Sequence, residues 1–576
     1  MIKNWRKINA FKHPDKPQMQ IPLSKYFLKM RNALFSFALY LFPIFQGRAQ
    51  PVVGDLIRPK LVVGIVVDQM RWDYLYRYYN KYSQGGFRRL LREGFSCENT
   101  YINYLPSFTA VGHTCIFTGS VPSISGITGN NWTEQLTGAH VYCTGDSTVH
   151  TVGIRESLEG KMSPRNLLVS TITDELRIAT HYESRVVGIS LKDRAAILPV
   201  GHMANAAFWM DDSTGDFISS SYYMNRLPEA VEHFNGEKNI GKYLNADWNT
   251  LYPIATYIES DSDNKVYEGR LTGEPAPVFP HNIKSAYSKN HVSFRSTPFG
   301  NSLTLDFAKT ILDAYQLGQR DVTDFLTINC ASTDYVGHLF GPNSIEVEDT
   351  YLRLDLDLAS FFSMLDAKIG KGNYLIFLTA DHGAANAVGF SQENRIPADF
   401  FVSAAMLTNL DLLIQQKFGI SKAIRSAENY QLNFDLEKIA AAGADFDAIK
   451  KLTISYLKNQ PGVNYAVDMD KIQDAAIPEP IKTMIINGYN YKRSGQVQVV
   501  FQPAWLESYA KTGTTHGTWN PYDTHIPLVF MGWDIQPGAS ALPVHMTDIS
   551  PTLATMLHIQ VPNGSIGVPI ADLLSR

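Results

Sequence analysis

Six residues are placed as candidate metal ligands: Asp68, Asp334, His338, Asp381, His382 and His516. Mixed carboxylate and imidazole donors suit borderline divalent metals, and three of each are enough for two ions, with zinc the first choice. Taken singly each is weak, because an Asp at a strand end more often caps the next helix and a lone His is more often a satisfied structural residue. The doublet followed by glycine in TADHG (379–383) is more specific, and acidic or histidine residues closing three apolar runs make the strong signal. A second feature is Thr109 in SFTAVGHTCIFTG (107–119), which reads as a loop running into a helix. Free N–H groups and the helix dipole at such a start favour a phosphoryl oxygen. A threonine hydroxyl becomes a useful nucleophile only when a metal lowers its pKa. Without the metal set, Thr109 would be no more than an N-cap.

The elements that must position these groups are legible as three runs: LVVGIVVDQM (61–70), FLTINCASTDYVGH (325–338) and YLIFLTADHG (374–383). Aliphatic runs without alternation read as strands buried on both faces, hence as parallel strands of an α/β sheet. Ligands bind such sheets beyond the carboxyl ends of the strands, so three strand ends are expected to bring Asp68, Asp334, His338, Asp381 and His382 to one crevice. The segment 346–370 carries apolar residues at mixed three- and four-residue spacing and reads as a crossover helix. Residues 525–532, HIPLVFMG, read as a returning core strand. Two stretches, about 196–300 and about 395–510, fall between core strands and are expected to be insertions that cap the crevice.

The chain has 576 residues, 45% hydrophobic and 18% charged, which is ample for a large core. A net charge of -4 argues against a nucleic-acid partner, since phosphate backbones demand a basic excess. Lys25, Lys29 and Arg31 precede an apolar run at 33–45, followed by Gly47-Arg48-Ala49; residues 1–49 are therefore expected to be an export signal with an N-terminal extension, starting at Met1 or Met30. That places the protein in the periplasm or outside the cell, with 50–576 as the catalytic domain. The apolar run is shorter than the roughly 20 residues a membrane helix needs. Cys97, Cys115, Cys143 and Cys330 form no CxxC pair, which excludes cysteine zinc fingers and leaves a Cys97–Cys143 bridge open.

The segments DQM, NYLPSFTAVGH, GITGNNW, LKDRAAILPVGH, STDYVGH, TADHG and TTHGT, in that order from about residue 60 onward, resemble the alkaline phosphatase superfamily. More narrowly, they resemble the bacterial phosphate-irrepressible branch, which uses a threonine nucleophile. The resemblance implies a mostly parallel sheet sandwiched by helices. It also implies a phosphomonoesterase with two zinc ions per chain, acting as a monomer on small phosphorylated metabolites through a phosphothreonine on Thr109. In this reading Asp68, Asp381 and His382 hold one zinc, and Asp334, His338 and His516 hold the other. His525 is the rival for the last place, although its position beside Pro527 at a strand start suits packing better. Asn130 and the pair Lys192 and Arg194 match the family's phosphate-binding residues.

Energetics favour metals over side chains alone. Phosphate-monoester hydrolysis can require acceleration up to ~10²¹-fold, about 29 kcal/mol, and one charge-assisted hydrogen bond supplies only about 1.5–3 kcal/mol. A two-metal clamp acts on nucleophile and leaving group together. Among rivals, a diesterase of the same superfamily would share metals, threonine and asparagine, and the LKDR cations argue against it. A sulfatase lacks its Cys or Ser motif here, and a phosphoglycerate mutase-like enzyme would use serine and manganese. A catalytically dead binding protein would have lost a ligand or the nucleophile, and none is missing.

Overall fold

Unbroken runs of Val, Ile and Leu are stable as strands only where both faces are covered. Of the residues described in the computed structural model, 57–508 and 511–574, each of the three runs opens as a strand with every strand residue buried. Residues 1–49, expected to be an export signal with an N-terminal extension, lie outside the described residues. Ten strands share one sheet: β1 (Leu61–Val67), β2 (Phe95–Cys97), β3 (Thr151–Val152), β4 (Val186–Ile189), β5 (Ala206–Met210), β6 (Phe217–Ser220), β7 (Asp324–Cys330), β8 (Tyr374–Thr379), β9 (Leu528–Gly532) and β10 (Gly538–Ser540). Their spatial order is β10-β2-β9-β8-β1-β7-β4-β5-β6-β3. The centre, β8-β1-β7-β4-β5, is parallel throughout. The returning strand β9 joins antiparallel to β8.

Register decides where the chemistry goes. Val67 pairs with Cys330, and Val66 pairs with Thr379, so β1, β7 and β8 end level with one another. The crossover helix runs Ile345–Lys368, with Ser344 capping its first turn and Leu354, Leu358, Phe361, Phe362 and Leu365 facing the core. Among the described residues no helix is long and apolar enough to cross a membrane. All four cysteines are buried free thiols, so Cys97 and Cys143 are not bridged.

The two stretches read as insertions differ from each other. The first is not wholly outside the core: β5 and β6 lie within it and extend the main sheet as an antiparallel pair. Its many turn residues mask two short strands, AAFWM and FISS, that are fully buried. The second stretch builds its own antiparallel sheet in the order 424–428, 431–434, 497–501, 463–468. Leu410, Ile414, Phe434, Ile449 and Val497 make a core for that sheet, distinct from the main one.

Candidate active site

Asp68 follows β1 directly, and Asp381 and His382 follow β8 after one residue; all three are fully buried. Asp334 and His338 require a correction. The apolar run does not continue as a strand to 338, because β7 stops at Cys330 and Ser332–Phe340 is a helix, here α2. A four-residue separation on a helix puts both side chains on one face, and His338 Nε2 lies 3.1 Å from Asp334 Oδ1. His516 enters from a late loop, its Nε2 3.8 Å from the same oxygen. Asp523 holds that loop by accepting from the Thr518 N–H at 2.7 Å and its hydroxyl at 2.6 Å.

Thr109 is the first residue of the helix Thr109–Thr118, here α1, after Phe108 in an extended conformation. Its Oγ1 lies 3.3 Å from His382 Nε2. That nitrogen is also 3.3 Å from Asp381 Oδ2 and 3.7 Å from Asp68 Oδ1. Gly112 makes this approach possible: a Cβ there would stand 2.4 Å from the Asp381 carbonyl oxygen. Asn130 Oδ1 accepts from the Ala110 N–H at 3.0 Å, which settles one unpaired donor of the first turn.

The donor chemistry suits metals. His338 Nδ1 pairs with the Thr514 carbonyl at 2.8 Å, His516 Nδ1 with Ser107 at 2.8 Å, and His382 Nδ1 with Gly383 at 3.0 Å. A carbonyl only accepts, so each Nδ1 carries a proton, and in the neutral rings of His382 and His516 Nε2 presents a lone pair. Asp68 Oδ1 and Asp381 Oδ2 are buried without a hydrogen-bond partner, which is costly for a carboxylate unless a cation completes it.

The electrostatics agree. Burial raises the Asp68 carboxyl, opposed by Lys192 and assisted by the charge of Asp334. Burial and Asp68 raise Asp381 well above the usual carboxylate range. Burial works in the same direction on Asp334, but His338 and Lys192 outweigh it and hold that carboxyl well below the range. Burial pushes His382 down to about 3 and His516 well below the ordinary imidazole value, so both rings are neutral. Three crowded carboxylates with one lysine among them leave room for added positive charge.

Among the described residues, ligand atoms gather in three groups: Asp334, His338 and His516; Asp68, Asp334 and His382; and Asp68, His113 and Asp381. The second expected set is thus brought together intact. In the first, His382 stands close to both carboxylates, but His113 competes for a place. His113 is fully buried one turn after Thr109, its Nε2 3.7 Å from Asp381 Oδ2 and 3.2 Å from Asn329 Nδ2. The sequence did offer a signal for it, Thr-x-x-x-His on one helix. His525 stays apart: its ring stacks between Trp72 and Tyr101, and its Nε2 pairs with the Glu98 carbonyl at 2.9 Å.

Lys192 sits differently from a free anion-binding cation. Its Nζ donates to Asp68 Oδ2 at 2.8 Å and Asp334 Oδ2 at 2.6 Å, bridging the two carboxylates with one N–H to spare. The Arg194 Nη1 donates to the Tyr142 hydroxyl at 3.2 Å, and its Nε is buried without a partner. The second stretch reaches this site through two residues. Tyr430 donates to the His516 carbonyl at 2.9 Å, and Asn429 donates to the Asn131 carbonyl at 2.8 Å.

Residues 62–527 match the family described as Type I phosphodiesterase / nucleotide pyrophosphatase. The sequence is 54% identical over 521 residues to alkaline phosphatase PafA of Elizabethkingia meningoseptica, covering 90% of this chain and 95% of that protein. It is 50% identical over 525 residues to a calcium-transporting ATPase of Myroides odoratus, covering 90% and 96%. The crystal structure of PafA superposes with a TM-score of 0.88 at 53% identity, over 90% of this chain and 99% of that one. A PafA variant altered at a threonine, an asparagine, a lysine and an arginine gives the same TM-score, 0.88, at 52% identity over 90% and 99% of the two chains.

Proposed function

Since the chain belongs to the type I phosphodiesterase / nucleotide pyrophosphatase family and is a hydrolase close to PafA, we propose that it is a two-zinc phosphomonoesterase working through a phosphothreonine on Thr109. One observation carries the reading: Thr109 Oγ1, at the start of α1, lies 3.3 Å from a neutral His382 Nε2 that also faces two buried carboxylates. The four positions altered in the PafA variant are spaced along that chain as Thr109, Asn130, Lys192 and Arg194 are spaced here, which supports giving these residues the reacting and phosphate-holding roles.

Asp68, Asp381 and His382 would hold one zinc, and Asp334, His338 and His516 the other. Zinc so bound supplies Lewis acidity, easing loss of a proton from a nearby hydroxyl and offsetting charge on a departing oxygen. The chain's own residues do the rest. Thr109, its proton lost to solvent, attacks phosphorus; the bond from phosphorus to the leaving oxygen breaks, and the alcohol departs after taking a proton from water. Free N–H groups of α1 and the Asn130 amide hold phosphoryl oxygens. The third N–H of Lys192 and the planar fork of Arg194 hold the remainder. Water then attacks the phosphothreonine, frees phosphate and restores Thr109. The insertions cap the crevice in this reading, and the basic and apolar segments near the N-terminus make the protein an exported one.

The experiment is a zinc assay on purified protein together with kcat/KM on one phosphomonoester and one phosphodiester. Two zincs and a strong monoester preference are expected. A diester preference would make the chain a diesterase on the same scaffold.

A further inference from the structure

Gln69 touches a carboxylate of each ligand cluster. It follows Asp68 in a left-handed backbone conformation, φ +62°, unusual for a residue with a side chain, and it is 3% exposed. Its N–H donates to Asp381 Oδ1 at 3.1 Å, and its Nε2 donates to Asp334 Oδ1 at 2.6 Å. That same Asp334 oxygen faces His338 at 3.1 Å and His516 at 3.8 Å. Gly337, three residues after Asp334 on α2, makes the room: a Cβ there would lie 2.0 Å from Gln69 Oε1.

We propose that Gln69 is a positioning residue that ties the two clusters together and fixes their spacing; the inference rests on the two-zinc reading above. An amide donor occupying one lone pair of a carboxylate oxygen aims the other at a metal, and partners of this kind are worth about 10–100-fold in metal affinity. The left-handed backbone at Gln69 accompanies this role: in it one residue reaches Asp381 with its main chain and Asp334 with its side chain. Gln69 holds no metal and touches no reacting atom.

The test titrates zinc into chelator-stripped protein against a chromophoric chelator. Asparagine tolerates the left-handed conformation but is one methylene too short to reach Asp334. Gln69→Asn should therefore hold one of two zinc equivalents about 10–100-fold more weakly than the wild type. Gly337→Ala, which keeps Gln69 but pushes its amide aside, should reproduce the loss. If it acts through Gln69, the double variant should bind no more weakly than Gln69→Asn. Wild-type affinity in both single variants, or a fall only in the melting temperature of the zinc-free protein, would overturn the proposal. Should Gln69→Asn fail to fold, Gly337→Ala decides alone. A wild type that binds fewer than two equivalents overturns the two-zinc reading itself, a separate failure seen before any variant is measured.

Discussion

Lys192 donates through Nζ to Asp68 Oδ2 at 2.8 Å in a crevice where the two side chains are 1% and 0% exposed. Burial and the two flanking carboxylates act oppositely on this ammonium, and the carboxylates prevail, holding its pKa above the ordinary lysine value. Removing one partner of a buried pair strands the other, at about 3–5 kcal/mol. In zinc-free protein, Lys192→Ala should lose stability of that order, as read by denaturant unfolding. With zinc added the loss should shrink, because the ions then satisfy Asp68 and Asp334. An equal loss in both states would mean that zinc does not reach these carboxylates.

In the proposed function the same cation with Arg194 sets the substrate preference. A monoester dianion offers one more charged oxygen than a diester, and cations aimed there gain more from it. Lys192→Ala combined with Arg194→Ala should lower monoester kcat/KM by several kcal/mol, at about 1.5–3 kcal/mol per charge-assisted contact, and diester kcat/KM far less. In the proposed function the pair shares one phosphate, so the double loss need not equal the sum of the single ones. Equal losses on both substrates would reduce the two residues to structural support.

Metal and proton compete for the buried carboxylates, and the sign of the pH dependence follows. Without metal, burial holds the Asp68 and Asp381 carboxyls above the ordinary 3.8. Between 3.8 and those raised values the folded chain keeps protons that the unfolded chain has lost, so zinc-free stability falls as pH rises through the window. Asp334 works oppositely: its lowered pKa contributes stability above 3.8 that is lost as pH falls through the folded value. In the proposed function zinc displaces the protons of Asp68 and Asp381, so the gap in melting temperature between loaded and stripped protein should widen as pH rises. A gap that is constant or narrows with pH would contradict that competition.

His516 and His525, nine residues apart, should separate cleanly. His516→Ala should cost one zinc equivalent and most activity. His525→Ala should keep both zincs and lose stability by about 1–3 kcal/mol, from the carbonyl partner left unpaired and the stacked rings. The measurement is zinc content beside the unfolding midpoint; loss of zinc from His525→Ala alone would reverse the assignment.

What the sequence made legible followed from patterns that physics repeats. Aliphatic runs without alternation, such as the one that begins at Leu61, have only one common fate, so β1, β7 and β8 and the placement of Asp68, Asp381 and His382 at their ends were readable. The run through 338 misled because Ala331, Ser332 and Thr333 continue an uncharged stretch while the backbone turns helical, and only the four-residue spacing of Asp334 and His338 marks the change. β5 and β6 were hidden by the turn-rich chain around them. Gln69 was out of reach because its importance lies in a contact with Asp334, hundreds of positions away, and His113 was marked only by its four-residue spacing from Thr109 on one helix.

The covalent step is the centre of the account. Zinc-loaded enzyme, mixed with a phosphomonoester and quenched in acid during turnover, should yield a single phosphopeptide by mass spectrometry, with the phosphate on Thr109. Thr109→Ala should give none and should retain its zinc. Phosphate on another residue, or no phosphopeptide together with inversion at phosphorus in a single turnover, would contradict the account.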